Sequence, residues 1–274
     1  MDIDFISREI TQEKQEKFGK YFEILTGWNK VMNLTAITEP EGVALRHFAD
    51  SLTLLPYIDR ISGEKGGISL IDVGTGAGFP GLPLKIMRPE IKLTLLDSLD
   101  KRIKFLECVV RELGLEGVET VHARAEDAGR DGQYRENFDI AAARAVAPMS
   151  ILAEYCLPFV KTGGCFIAMK GPAEENYSRA LKLLGGEVVS DDLFELSSGN
   201  VRAGMFGLTG KDVCNGGNGE AADNEAVDNA AADNEAVENN ADEKLGRRII
   251  CIRKKSPIQP KYPRRAGLPS KSPL

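Results

Sequence analysis

Residues 68–81 read Ile-Ser-Leu-Ile-Asp-Val-Gly-Thr-Gly-Ala-Gly-Phe-Pro-Gly. A short apolar run passes through Asp72 into a glycine-rich turn. Such a turn lets backbone come within contact distance of a ligand where a Cβ would clash. A second apolar run, Ile91-Lys-Leu-Thr-Leu-Leu-Asp97, also ends in a carboxylate. A glycine loop at one strand end and an acid at the next is the arrangement that holds an adenosine-type ligand.

Working outward, strand and helix patterns alternate from residue 68. Strands are predicted at 68–73, 91–97, 117–122, 137–143, 163–169, 187–194 and 247–253. Helices are predicted at 80–88, 148–160 and 173–184, with a further helix capped by Ser98 and stopped at Gly114. This alternation means a parallel sheet with helices on both faces. The last two strands have no helical pattern between them and should pair as an antiparallel hairpin. Before the first strand, Phe18, Phe22, Leu25, Trp28 and Met32 recur at helical spacing. A second helix should begin at a capping box of Thr38 and Glu41 with Pro40 in its first turn, burying Ala44, Phe48, Leu52 and Leu55. The expected fold class is α/β and Rossmann-like, a seven-stranded, mostly parallel sheet ending in a hairpin. Its organisation is an N-terminal helical extension (1–62), the sheet domain (63–260) and a basic C-terminal tail (261–274).

The net charge of −6 over 274 residues hides two opposite segments. Residues 211–243 carry ten acids against Lys211. Within them Ala221–Ala230 is nearly repeated as Ala231–Asn240, a polar unit too short to stack as a solenoid. Having almost no apolar bulk to offset ordering entropy, 213–243 is predicted to be a disordered insertion at the tip of the final hairpin. Replacing it with a short Gly-Ser linker should leave the melting temperature nearly unchanged, because loop-closure cost grows only logarithmically with length. Calorimetry on that deletion checks this, and a large fall would mean that the insertion packs on the domain. Residues 253–274, by contrast, hold seven basic residues and no acid, which suits a phosphate backbone or a solvated, disordered end. No apolar run reaches the roughly 20 residues of a membrane span. The five scattered cysteines form no Cys-x-x-Cys pair. They fit reduced thiols in a cytoplasmic protein, with neither a disulfide framework nor a metal site.

Gly76, Gly78 and Gly81 match Gly-x-Gly-x-x-Gly, a spacing also met in tight strand–helix turns that bind nothing. Asp72 adds a carboxylate that can meet an ammonium group or order water. The absence of Gly-Lys-Ser/Thr excludes a triphosphate P-loop. Asp97 can accept the paired hydroxyls of a ribose, with Ser98 left to cap the helix. Glu126, after the third strand, sits where an adenine could lie, or is a surface acid. Arg144 follows an apolar strand and should emerge at the same edge, where a cation needs a partner or a substrate. His47 is either a substrate contact or an ordinary helix histidine, and His122 reads as strand-end structure. Neither histidine has a Ser or Cys nucleophile beside it.

Several blocks carry a family resemblance: Trp28–Thr35, Arg46–Ser51, Asp72–Gly81, Leu95–Ser98, Lys101-Arg102, Arg144-Ala145, Met169–Gly171 and Lys261–Leu274. Together they resemble the RsmG methyltransferases, formerly called glucose-inhibited division protein B, over most of 18–200 and 247–274. The acidic repeat lies outside the family pattern. The resemblance implies a class I methyltransferase using S-adenosylmethionine on ring nitrogen 7 of a guanine in 16S ribosomal RNA, free or within the small ribosomal subunit. It also implies cofactor contacts at Gly74, Phe79, Ala125, Glu126 and Arg144. Arg46, Lys101, Arg102, Arg144 and Lys170 are the candidates for RNA phosphates. Two other readings of the same loop and tail are a nicotinamide-dependent oxidoreductase and a non-catalytic RNA-binding protein.

Overall fold

The computed structural model describes residues 4–63, 67–144, 147–208 and 244–274. Helices α1 (Asp4–Glu9) and α2 (Gln12–Met32) are followed by α3 (Pro40–Val43), a π-helical turn (Ala44–Ala49), α4 (Asp50–Leu52) and α5 (Leu55–Ser62). The alternating region then runs β1 (Ser69–Val73), α6 (Gly81–Met87), β2 (Lys92–Asp97), α7 (Asp100–Glu112), β3 (Val118–His122), α8 (Ala125–Ala128) and β4 (Phe138–Arg144). It continues with α9 (Met149–Cys156), β5 (Val160–Lys170), α10 (Ser178–Leu184), β6 (Gly186–Ser197), a 3-10 turn (Ala203–Phe206), β7 (Lys244–Lys254) and α11 (Leu268–Lys271).

The strand order is β3-β2-β1-β4-β5-β7-β6. Strands β1 to β5 pair in parallel, and β7 runs antiparallel to both β5 and β6, so the expected hairpin ending is present. The order reverses between β1 and β4, and in open parallel sheets the crevice outside the carboxyl ends at that point takes the ligand. Asp72 and Arg144 stand near the ends of those two strands.

Side-chain alternation divides the core. Leu70, Ile140 and Ile167 face one layer, where they join Phe18, Tyr21, Leu25 and Phe48 of the N-terminal helices. Ile71, Ala141 and Phe166 face the other, with Met149 and Leu152 of α9. Burying each large aliphatic or aromatic side chain contributes about 1.5–3 kcal/mol, so Phe18, Tyr21, Leu25 and Phe48 anchor the N-terminal helices to the sheet. After β6 the chain returns to set Phe206 against Phe18 and Phe48, with ring centroids 5.1 and 5.4 Å apart. The acidic repeat lies outside the described residues.

Two expected caps do not form. Helix α3 starts at Pro40 with Glu39 as its cap residue, and Glu41 instead accepts the Ala203 amide at 2.8 Å. A proline with fixed φ sets the first turn, and the carboxylate is spent on a distant backbone. Helix α7 starts at Asp100 behind Leu99, without a cap from Ser98. Asp97 accepts the Leu99 amide at 3.0 Å, the local Asx bond that competes with helix capping. Helices α9 and α10 are also shorter than their apolar patterns suggested, because β5 already begins at Val160 and the chain from 171 to 177 is not helical.

The basic tail is a second correction, for it is neither free nor disordered. Tyr262 and Ile258 are buried, and Arg264 pairs with the buried Glu154 at 2.6 Å.

Candidate active site

Asp72 is fully buried at the end of β1. Its Oδ2 accepts the Thr75 hydroxyl at 2.7 Å and the Gly81 amide at 2.9 Å, which shapes the loop, while Oδ1 has no partner. The loop is tied to β2 as well: the Gly74 and Thr75 amides donate to Leu96 O, and the Gly76 amide to Asp97 Oδ2 at 2.9 Å. The three glycines of the motif then separate by role. A Cβ on Gly78 would run into Leu82 and Tyr21, and one on Gly81 into Leu95 and Asp72, so these two answer to packing. A Cβ on Gly76 would meet nothing within 4 Å, and the residue has φ +59°. Gly76 is therefore the position where bare backbone faces open space.

Phe79 centres an aromatic cluster under the loop. Its ring stacks on Tyr21 and His47 at 5.4 and 4.6 Å, and the Arg144 guanidinium lies 4.9 Å from its centroid. The Tyr21 hydroxyl donates to Ala77 O, so α2 supports the loop from behind. Arg144 has the partner that its position demanded. It donates to Asp50 Oδ2 at 3.2 Å and to Arg46 O at 3.1 Å, and Asp50 also accepts from Arg247 at 2.9 Å. Asp50 and Arg247 escaped the sequence reading. The available signals were an acid amid the buried face of a helix and an arginine entering an apolar strand.

His47 is buried, with Nε2 2.9 Å from the Thr35 hydroxyl and Nδ1 3.5 Å from Arg144 Nη2. Burial, then the neighbouring Arg144 charge, lowers its pKa to about 3. The ring is neutral, and because a guanidinium can only donate, its contact assigns Nδ1 as the acceptor and leaves the Nε2–H for Thr35. Burial raises Asp72 to about 6, against hydrogen bonds from Thr75 and Gly81.

These two shifts carry opposite linkage signs. Unfolded, His47 takes a proton below about 6.5; folded, it does not, so its stabilisation is present above that pH and is lost as pH falls toward 3. Asp72 keeps its proton in the folded state up to about 6, against 3.8 ordinarily, so its contribution is present below 3.8 and lost as pH rises through 6. Of these two dependences, His47→Asn leaves only that of Asp72. Relative to wild type, this variant should gain stability on acidification from pH 6.5 to 4. Thermal melts across that range decide the point, and parallel pH curves for the two proteins would refute it.

Asp97 is also buried and accepts three donors: Gly76 N, Leu99 N and Arg102 Nη1 at 3.3 Å. A ribose diol there would share the carboxylate with the loop. Ala125 and Glu126 follow β3, whose end is in register with Asp97, and Glu126 accepts the Gly267 amide at 2.9 Å. Glu126 is thus buried and engaged, not a surface acid. His122 lies at the end of β3 with Nε2 3.1 Å from Ser98 O, as strand-end structure.

The expected phosphate contacts divide. Lys101 is exposed, and Arg46 is partly exposed. Arg102 is drawn to Asp97. Lys170 is committed to Glu175 at 2.8 Å and to Ala147 O at 2.7 Å, and Arg144 to Asp50. Cations lining a closely packed strand end are taken up by neighbouring acids, because burying them unpaired is costly. Among the described residues no group of three or more His, Cys, Asp or Glu could hold a metal ion, and no helix is long and apolar enough to cross a membrane.

Comparison with known proteins converges on one family. The family described as rRNA small subunit methyltransferase G (GidB) matches residues 14–184. The chain is 43% identical over 268 residues to the ribosomal RNA small subunit methyltransferase G of Acetivibrio thermocellus, covering 97% of this chain and 90% of that one. It is 42% identical over 270 residues to the protein of that name from Exiguobacterium sibiricum, covering 97% and 93%. Against the Leuconostoc citreum protein it is 50% identical over 197 residues, covering 70% and 82%. With the glycine loop, the strand-end carboxylates and Arg144 gathered at one edge of the sheet, these matches mean that the chain belongs to the rRNA small subunit methyltransferase G (GidB) family.

Proposed function

We infer that the protein methylates ring nitrogen 7 of a guanine in 16S ribosomal RNA with S-adenosylmethionine, acting in the cytoplasm on RNA free or within the small subunit. The observation that carries this reading is the site at the β1/β4 reversal in a chain of this family. There the Gly76 backbone faces open space and Asp72 offers a buried oxygen without a partner. Both features fit the cofactor. The Gly74–Gly76 backbone would lie along its amino-acid end and Asp72 Oδ1 would meet its ammonium group. Asp97 would take the ribose, and Ala125 and Glu126 would border the adenine.

The cofactor supplies an electrophilic methyl carbon on a sulfonium. Held there, it would offer that carbon to the lone pair of the guanine nitrogen, with the C–S electron pair leaving on sulfur. No proton leaves the nucleophile in this step, so no general base is required. That agrees with a histidine held neutral by burial and engaged at both ring nitrogens. The work left to the chain is alignment. Phe79 and Arg144 provide the floor: the ring is packed against Tyr21 and His47, and the guanidinium is fixed by Asp50. The ionised form of Asp72, disfavoured by burial alone, is favoured by a cation beside it. Lys101, exposed on α7, remains the best candidate for an RNA phosphate.

Incubation with methyl-labelled cofactor and small subunits or free 16S RNA, followed by mass mapping of the RNA, tests this. One methylated guanine is expected, in a fragment absent from RNA of cells lacking the gene. RNA binding without transfer would leave a non-catalytic binding protein.

A further inference from the structure

The C-terminal segment is held with more polar machinery than a loose end requires. Arg264 donates to the buried Glu154 through its amide at 2.7 Å, Nε at 2.9 Å and Nη2 at 2.6 Å. From the loop before β4, Arg135 donates to Tyr262 O at 2.8 Å and Ile258 O at 3.1 Å, and Arg130 to Pro263 O at 2.9 Å. The Tyr155 and Ser270 hydroxyls lie 2.9 Å apart. Glu154 and Tyr155 belong to α9, and Arg130 and Arg135 to the loop after α8, so these anchors hold the tail beside the α8 turn, which it also touches directly. A Cβ on Gly129, just past α8, would come within 3.2 Å of Pro263 and 2.9 Å of Ala125 O, so the tail and the turn are in close contact. At the other end of the turn, Glu126 receives the Gly267 amide. The tail adds Ile258, Tyr262 and Pro269 to the buried set. Its ion pair with Glu154 nevertheless places a charged group at zero exposure, a costly arrangement that by itself is weak evidence for stabilisation.

We propose that residues 258–274 form a docked strap that fixes the Ala125–Gly129 turn on the adenine side of the cofactor site, with Arg264 as its positioning residue. This rests on the cofactor reading given above. Arg264 touches no reacting group. It acts by holding Pro263 against Gly129 and Gly267 against Glu126, so that the turn bordering the adenine has one position. Preorganised groups bind more tightly because ordering is not charged to the ligand.

The test is calorimetric titration of S-adenosylhomocysteine into the full-length protein, at a temperature well below every variant's melting point. Arg264→Ala should weaken binding by about tenfold, the loss expected from freeing a small set of hydrogen bonds, and Arg264→Lys should recover part of it. Arg264→Ala also strands the Glu154 charge in the interior and could fail to fold. The double variant Glu154→Leu with Arg264→Ala removes both charges, and should regain melting temperature while staying weak for the ligand. A double variant that regains both stability and affinity would show that the strap serves folding alone and would overturn the proposal. If wild type itself does not bind the ligand, the cofactor reading falls and this proposal with it. If wild type binds and every variant binds equally well, only the strap is refuted.

Discussion

Arg144→Ala should lower the rate of methyl transfer by about 100-fold or more, the cost of misplacing reacting groups by about an ångström. The fold should survive. Arg144 shares Asp50 with Arg247, which stays 2.9 Å from the other carboxylate oxygen. Its removal therefore does not strand a buried charge, an outcome that costs about 3–5 kcal/mol. The expected loss is nearer the about 1–3 kcal/mol of hydrogen bonds to a charged group. What disappears is the flat cation over Phe79 and the donor facing His47 Nδ1. Lysine restores the charge but cannot combine a fork toward Asp50 with stacking on a ring, so Arg144→Lys should recover stability more fully than rate. Single-turnover transfer to ribosomal RNA, set beside thermal melts, separates the two effects. Full turnover in the alanine variant would return Arg144 to a purely structural role.

Gly76→Val should abolish detectable cofactor binding, a loss of at least about 100-fold or about 2.7 kcal/mol. Two causes add. The residue has φ +59°, where a side chain costs about 1–2 kcal/mol. The new side chain also projects into the open space that the ligand would occupy. Because a Cβ there meets nothing within 4 Å, the damage to folding should come chiefly from the backbone. Gly78→Ala provides the contrast: its methyl group would strike Leu82 and the Tyr21 hydroxyl, so it should cost more stability and leave affinity largely intact in the molecules that fold. Calorimetry with S-adenosylhomocysteine and melting curves on both variants check the crossover. Normal affinity in a folded Gly76→Val would remove the loop from the site.

Much of this arrangement was already readable from local pattern. The alternation of apolar runs with helical spacing is set by the two- and 3.6-residue periods of strand and helix, and it placed all seven strands to within a few residues. Asp72 before the glycines and Asp97 after the next run were legible because strand ends and turns are local chemistry. So was the closing hairpin, since a gap without a helical pattern leaves room only for antiparallel pairing. Tertiary structure alone decided which polar group meets which. Ser98 and Thr38 had the right residue types for caps, yet Asp97 and Pro40 took over the two helix starts. Lys170 had the right position for a phosphate, yet Glu175 holds it. Arg144 and Arg247 reach the same Asp50 across 94 and 197 residues of chain, and Arg264 reaches Glu154 across 110. A buried charge must find its counter-charge wherever folding brings one near, and sequence separation does not enter that energy. Periodicity therefore determined the scaffold and the edge at which the site lies, while the partners of its charged groups were settled only when the layers closed on one another.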